Sequence, residues 1–135
     1  MSDFNPRDYK GYRLEKTGRD LSLYYVKVFD LSKVKDPKCN DLSNNPHEKA
    51  QYTTSTEYKN VMEAFAEAYG WIDCTSNDQT DPDCYEKAYN ELDVNELYRY
   101  PYLNQKEARP GDKERMEPAY KNGWGKKLIQ KNVHN

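Results

Sequence analysis

The stretch that decides the predicted fold runs from residue 58 to residue 92. It contains two segments with helical periodicity, YKNVMEAFAEAYGWI (58–72) and DPDCYEKAYNEL (81–92), joined by a short polar loop. In the first segment, apolar residues recur at intervals of four, three and four, which puts them on one face of a helix. These residues are Val61, Phe65, Ala68 and Ile72. Tyr85, Ala88, Tyr89 and Leu92 form the apolar face of the second segment.

Both segments carry start signals for a helix. Thr54 and Glu57 have the spacing of a capping box, with Ser55 as a rival cap. Asp81-Pro82 pairs a favoured N-cap with a proline at the first helical position. Two amphipathic helices joined by so short a loop must pack antiparallel, so residues 54–97 are predicted to form a helical hairpin.

The best strand candidate is Leu21–Phe29, which is rich in aromatic and β-branched residues. A lone strand is unstable, so it needs either Tyr12–Lys16 as a hairpin partner or the sheet edge of another protein. Residues 30–53 contain two prolines and an asparagine-rich run, typical of an extended connector that wraps a neighbour. Residues 1–53 are therefore predicted to form an extended arm, with one candidate β-hairpin over residues 12–29.

Residues 98–135 are predicted to form a second extended arm. Pro101 interrupts the aromatic run Tyr98–Tyr102, and Trp124 lies between glycines and near lysines. Trp124 is interpreted as an anchor in a partner's groove rather than as part of a helix. The predicted fold class is thus mainly α: a helical hairpin with long extended N- and C-terminal arms and one short β-hairpin.

Composition favours a chain that shares its buried surface with a partner. Of its 135 residues only 36 % are hydrophobic, and 13 are tyrosines, a residue type enriched at interfaces. The alternative is a small globular domain that uses tyrosine where others use leucine. The residues predicted to make intermolecular contacts are Tyr24, Tyr25, Phe29, Tyr98, Tyr100, Tyr102 and Trp124.

Charge is unevenly distributed although the net charge is only −2. Residues 61–100 carry ten acidic and two basic side chains, whereas residues 106–135 carry eight basic and four acidic ones. A nucleic-acid-binding domain would concentrate basic residues at a high pI, so we expect no nucleic acid partner. No apolar run has the length of a membrane span, and residues 2–12 are too polar for a cleaved presequence.

Cys74 and Cys84 lie at the facing ends of the two predicted helices, with nine residues between them. This position suits a disulfide, but two thiols in a reducing compartment fit the spacing equally well. A zinc site is disfavoured because only Cys39, His47 and His134 remain as further ligands, all distant in sequence. Cys39 is expected to be an unpaired thiol.

The segment 61–112 resembles the twin Cx9C, or coiled-coil-helix-coiled-coil-helix, family, and most of all the VIb-type accessory subunits of cytochrome c oxidase. Cys74 and Cys84 match the inner cysteine pair of that pattern, while Ala64 and Val94 or Asn95 stand where the outer pair would be. The resemblance extends to the aromatic run after the second helix and to Pro110-Gly111. It leaves residues 1–53 and 113–135 unexplained.

This resemblance implies a Cys74–Cys84 disulfide and a non-catalytic accessory subunit of a respiratory-chain complex. It further implies a peripheral location on the intermembrane-space side of the mitochondrial inner membrane. The implied partners are subunits of a large membrane protein complex, with cytochrome c as a candidate because of the acidic hairpin. The alternatives are an accessory subunit of another mitochondrial complex such as complex I, or a small cytosolic or viral protein-binding module.

An enzyme is the weakest alternative. The chain has only His47 and His134 as histidines, each in a predicted loop, and no glycine-rich phosphate loop, Cys-x-x-Cys or His-Glu-x-x-His. Acidic pairs in the hairpin are so numerous that their proximity carries little information. The sequence therefore predicts no catalytic residue, no metal and no cofactor.

Overall fold

The computed structural model describes residues 7–17, 24–39, 41–54, 58–75, 84–93, 95 and 110–133. This part of the chain forms an antiparallel sheet and three helices. In chain order the elements are β1 (Arg7–Tyr9), β2 (Tyr12–Thr17), β3 (Tyr25–Asp30), β4 (Tyr52–Thr53), α1 (Val61–Thr75), α2 (Tyr85–Glu91) and α3 (Asp112–Val133). The strands follow one another across the sheet in the order β1-β2-β3-β4.

The central pair of strands is the hairpin that the sequence offered as one of two alternatives. β2 and β3 pair antiparallel from Tyr12 opposite Asp30 to Thr17 opposite Tyr25. The strand therefore finds its partner within the chain rather than on another protein. Residues 18–23, which connect the two strands in the sequence and include the start of the predicted strand Leu21–Phe29, lie outside the described residues.

β1 joins β2 through a two-residue turn that the sequence analysis missed. Lys10 and Gly11 both have positive φ, 50° and 84°. Tyr9 pairs directly with Tyr12 on either side of them. Two successive positive φ values are the requirement of a type I′ turn, whose twist matches that of paired strands.

The two faces of the sheet are covered by different parts of the chain. Leu14, Val26 and Val28 are fully buried in the same core as the helices. Phe29, on the opposite face of β3, is also buried, as is Leu42 in the 3-10 turn Leu42–Asn44. Since strand side chains alternate between faces, helices and connector lie on opposite sides of the sheet.

Glu15 fixes the connector to its own sheet. The Glu15 carboxylate accepts the backbone N–H groups of Leu42 and Ser43, both at 2.8 Å. Arg13 on the same strand donates from Nη1 to the carbonyl of Cys39 at 2.6 Å. The connector thus wraps the sheet of this chain, where the sequence predicted that it would wrap a neighbour.

α1 is a central helix rather than an amphipathic one. Thirteen of its fifteen residues are buried, because it packs along α3 and also contacts α2, β2 and β3. It starts later than predicted: Asn60 caps it, with Oδ1 accepting the N–H of Met62 at 2.8 Å. Thr54, the predicted cap, instead extends the sheet edge, since its Oγ1 accepts the N–H of Val26 at 3.0 Å.

The predicted fold class, mainly α with long extended arms, is wrong. The N-terminal arm forms the sheet, and much of the C-terminal arm forms the 22-residue helix α3. Gly123 and Gly125 in the sequence suggested that this region was not helical, but Gly123 lies where α3 meets α1 backbone to backbone. The two predicted helices do form, as Val61–Thr75 and Tyr85–Glu91.

The core is also larger than the low hydrophobic fraction of the sequence suggested. Aromatic side chains fill much of it, and Tyr69, Tyr89, Tyr120 and Trp124 are each at most 1 % exposed. Each ring buries a large apolar area at a small entropic cost, which offsets the low hydrophobic fraction of the sequence. The composition therefore fits the alternative of a globular domain that uses tyrosine in its own core.

Candidate functional site

Of the predicted cysteine pair, Cys74 is buried in the last turn of α1 and Cys84 immediately precedes α2. Both pack in the main core cluster, where Cys84 is half-buried. The disulfide between them stays a prediction, as does the unpaired state of Cys39.

Two of the four predicted contact residues within the described part of the chain are fully internal. Phe29 and Trp124 are 1 % and 0 % exposed, so neither ring offers a surface to a partner. Tyr24 is half-buried and its backbone bridges that of Tyr58 through two hydrogen bonds of 2.7 and 2.6 Å. Tyr25 is half-buried in β3. Tyr98, Tyr100 and Tyr102 lie outside the described residues.

Two buried carboxylates on α1 are the main polar chemistry of the interior. Glu67 is fully buried and accepts hydrogen bonds from the hydroxyls of Tyr52, at 2.6 Å, and Tyr58. The side-chain amide of Asn122 in α3 donates to the same carboxylate at 3.0 Å. A buried carboxylate is tolerated only when hydrogen bonds replace its lost water, and here three separate segments of the chain supply them.

Asp73, six residues further along α1, is also a buried carboxylate that accepts hydrogen bonds from tyrosines. It is 2 % exposed and accepts from Tyr9 at 2.7 Å and from Tyr120 at 2.5 Å. Lys10 completes the cluster with an ion pair of 2.8 Å. β1, its turn and α3 therefore meet at one carboxylate.

The tyrosines of these clusters are held as proton donors. Burial raises the pKa of the Tyr52, Tyr58, Tyr9 and Tyr120 hydroxyls above the usual value, and the neighbouring carboxylates raise it further. A tyrosine with a raised pKa is a poor general base and a poor nucleophile at neutral pH. The arrangement therefore organises the fold, and its donors are already engaged by α1.

No metal-binding geometry accompanies the buried acids. Across residues 7–17, 24–39, 41–54, 58–75, 84–93, 95 and 110–133, no three Cys, His, Asp or Glu side chains are grouped as a metal ion would need. His47 is exposed in the connector. Glu67 accepts hydrogen bonds from Tyr52 and Tyr58, whereas Asp73 accepts them from Tyr9 and Tyr120.

The remaining surface feature is a row of residues on the solvent side of α3. We call Pro118, Asn122, Gly125 and Ile129 the α3 ridge. They follow one another at intervals of four, three and four, so they line one face of the helix. Ile129 is 65 % exposed and is the one exposed large apolar side chain of the described chain. A Cβ added at Gly125 would meet nothing within 4 Å.

Sequence reasoning missed both features for identifiable reasons. Glu67 and Asp73 interrupt an otherwise apolar segment, and this was a signal that α1 needed polar partners on all sides. The α3 ridge has the same four-three-four spacing that identified α1. It was overlooked because the two nearby glycines suggested a break in the helix.

Comparison with protein-family models, curated proteins and solved structures finds no match. Only the residues of this chain therefore bear on its function. Within the ranges that the structure describes, no helix combines the length and hydropathy needed to cross a bilayer.

Proposed function

We propose that this chain is a non-catalytic protein-binding subunit that works within a larger assembly. The observation that carries the proposal is the α3 ridge, where Ile129 is 65 % exposed and one turn from Gly125, a glycine that no contact with the described residues requires. An exposed isoleucine costs nothing unusual by itself, but a helical glycine in open space costs about 1 kcal/mol relative to alanine. A partner that approaches the backbone closely would account for both.

The interior supports binding over catalysis. The buried carboxylates Glu67 and Asp73 are bonded to tyrosine hydroxyls, and burial raises the pKa of those hydroxyls. Groups engaged in this way stabilise the fold and are not poised to exchange protons with a substrate. These buried polar groups of the described chain therefore mainly stabilise its own fold.

The test is the size of the native species. In extracts of cells that make this chain, gel filtration should find it well above the 16.0 kDa of the monomer, and the purified chain should elute as a monomer. The control is the same extract in high salt and mild denaturant, which should release the monomer. A chain that elutes wholly as a monomer from fresh extract would contradict the proposal.

A narrower candidate is an accessory subunit of a respiratory-chain complex, peripheral on the intermembrane-space side of the mitochondrial inner membrane. What favours it is that Cys74 and Cys84 flank the junction from α1 to α2 and pack in one cluster. This candidate requires the two thiols to be oxidised, since disulfides persist in oxidising compartments. The extended arms that the sequence predicted do not support this candidate, because those segments contain the sheet and α3.

Thiol alkylation of the native protein separates the two versions. Because Cys74 is buried, the reaction must be run in denaturant after acid quenching. The mitochondrial version predicts that only Cys39 reacts without reductant and that all three cysteines react with it. If all three cysteines react in both samples, the mitochondrial version is wrong. A binding module with reduced thiols in another compartment then remains.

A further inference from the structure

We infer that the α3 ridge binds an acidic amphipathic helix of a partner protein, a conclusion that deepens the proposed function and rests on it. The ridge consists of Pro118, Asn122, Gly125 and Ile129, of which Gly125 is half-buried and the others are exposed, although the Asn122 amide turns back to Glu67. Its two apolar side chains, Pro118 and Ile129, lie at the ends of the row, with Asn122 and Gly125 between them. Helix-in-groove recognition uses apolar anchors at this spacing.

Gly125 is the informative residue because its neighbour Gly123 has a different role. A Cβ on Gly123 would overlap the carbonyl oxygen of Glu67, so α1 itself requires glycine there. Gly125 faces the other way, and nothing within 4 Å would oppose a side chain. No contact within the described chain explains why glycine occupies this helical position. Close approach by an outside backbone explains it, since small residues allow helices to come together.

The charges beside the ridge specify the partner. At 100° per residue, Lys121 lies on one side of the Gly125–Ile129 line and Lys126 on the other. Residues 118–130 carry three lysines and no acidic residue, and of the three only Lys127 lies away from the ridge, with its ammonium over the Trp71 ring. A helix lying along the ridge would therefore place its flanking positions against ammonium groups. Acidic flanks are the complementary choice, and they also speed the encounter.

The same charges disfavour a second copy of this chain. If two α3 helices packed antiparallel about Gly125 and Asn122, the Lys121 side chains of both chains would lie along one side of the contact and the Lys126 side chains along the other. Like charges directly opposite one another are destabilising. The ridge is therefore better suited to a different, acidic chain.

Photo-crosslinking in the native assembly tests this inference. Benzoylphenylalanine is introduced in place of Ile129 and, as the matched control, in place of Lys38, which is exposed in the connector beyond the other face of the sheet. After irradiation, the crosslinked segment is identified by mass spectrometry. We expect position 129 to capture a segment with apolar residues at helical spacing and a net negative charge, and position 38 to capture no such segment.

Charge reversal gives the second readout. The double variant Lys121→Glu and Lys126→Glu should lower the crosslink yield at position 129 about tenfold, as should raised salt. Gly125→Gln should lower it similarly, while circular dichroism of the purified variant stays unchanged. These substitutions lie outside the buried core, so loss of folding is not expected.

Each other outcome overturns the inference. A basic or uncharged segment, capture of a second copy of this chain, capture of lipid, or a yield insensitive to the lysines would each do so. Absence of a crosslink at 129 in an assembly that still contains the chain would refute the ridge as a contact but leave the proposed function standing. A chain that is monomeric in the extract would refute both.

Discussion

Gly123 of α3 faces the main-chain carbonyl of Glu67 in α1 so closely that a Cβ on the glycine would overlap the carbonyl oxygen. A glycine of α1 is in the same position with respect to α3, because a Cβ on Gly70 would overlap the carbonyl oxygen of Tyr120. The two helices are thus packed backbone to backbone. The same approach brings Asn122 and Tyr120 within reach of the buried carboxylates.

The substitution Gly123→Ala should therefore destabilise the protein by about 1–3 kcal/mol or more, the cost of overpacking a close contact. Gly125→Ala is the matched control, two residues away in the same helix and facing open space. It should leave the free energy of unfolding unchanged or raise it by up to about 1 kcal/mol through helix propensity. Urea denaturation of both variants measures the difference. Equal effects at the two positions would refute the close helix crossing.

Tyr120→Phe should lower the free energy of unfolding by about 1–3 kcal/mol, because it removes a donor from a buried carboxylate. The lost bond is the 2.5 Å contact from the Tyr120 hydroxyl to Asp73, and the ring itself stays in the core. Tyr25→Phe, at a half-buried position in β3, is the control and should change stability by no more than about 0.5 kcal/mol. If the two variants unfold at the same urea concentration, the Asp73 cluster does not stabilise the fold.

Glu15→Gln should loosen the connector while the rest of the sheet stays protected. The carboxylate accepts two backbone N–H groups, from Leu42 and Ser43, and the amide of glutamine can replace only one of its oxygens. Hydrogen exchange should accelerate at the Leu42 and Ser43 amides by at least about tenfold, the equivalent of about 1.4 kcal/mol. Glu86→Gln on the exposed surface of α2 is the control, and should leave both amides unaffected.

The protein should unfold abruptly when the pH rises above about 10, the ordinary pKa of tyrosine. Burial raises the pKa of the Tyr52, Tyr89 and Tyr120 hydroxyls. The unfolded chain therefore loses these protons first as the pH rises. Their contribution to stability is complete below that pH and is lost above it, by about 1.4 kcal/mol per pH unit for each buried tyrosine.

Absorbance at the tyrosinate band and far-ultraviolet circular dichroism, followed in one titration, measure this alkaline transition. Part of the tyrosine ionisation should coincide with the loss of secondary structure. Removal of one hydroxyl, as in Tyr120→Phe, should make the fall in stability with pH shallower. If all tyrosines ionise while the far-ultraviolet circular dichroism spectrum stays that of the folded protein, these hydroxyls are not buried.

Local patterns in the sequence were enough to identify several elements. The four-three-four spacing of Val61, Phe65, Ala68 and Ile72 predicted α1, and aromatic and β-branched residues predicted β3 with β2 as a partner. Such patterns depend on the geometry of the chain over a few residues, so a single segment contains them whole. The Lys10-Gly11 turn was readable in the same way but was not recognised.

The overall fold was not readable, because its decisive contacts join residues far apart in the chain. Gly123 lowers helix propensity when considered alone, and only the carbonyl of Glu67, across the α1–α3 crossing, makes glycine necessary there. Likewise Glu67 and Asp73 look like surface acids until Tyr52, Tyr9 and Tyr120 are brought to them.

By itself, then, the sequence determined which segments could be helix or strand, but it offered a core filled by tyrosine only as the alternative to a tyrosine-rich interface. The tertiary structure alone decided that α1 is central, that the connector covers the sheet, and that the α3 ridge faces solvent. The physical reason is that local propensity differs between conformations by at most about 1 kcal/mol per residue for most residue types, whereas burying an unbonded carboxylate costs several times as much. The arrangement that satisfies the buried acids therefore prevails over local preference.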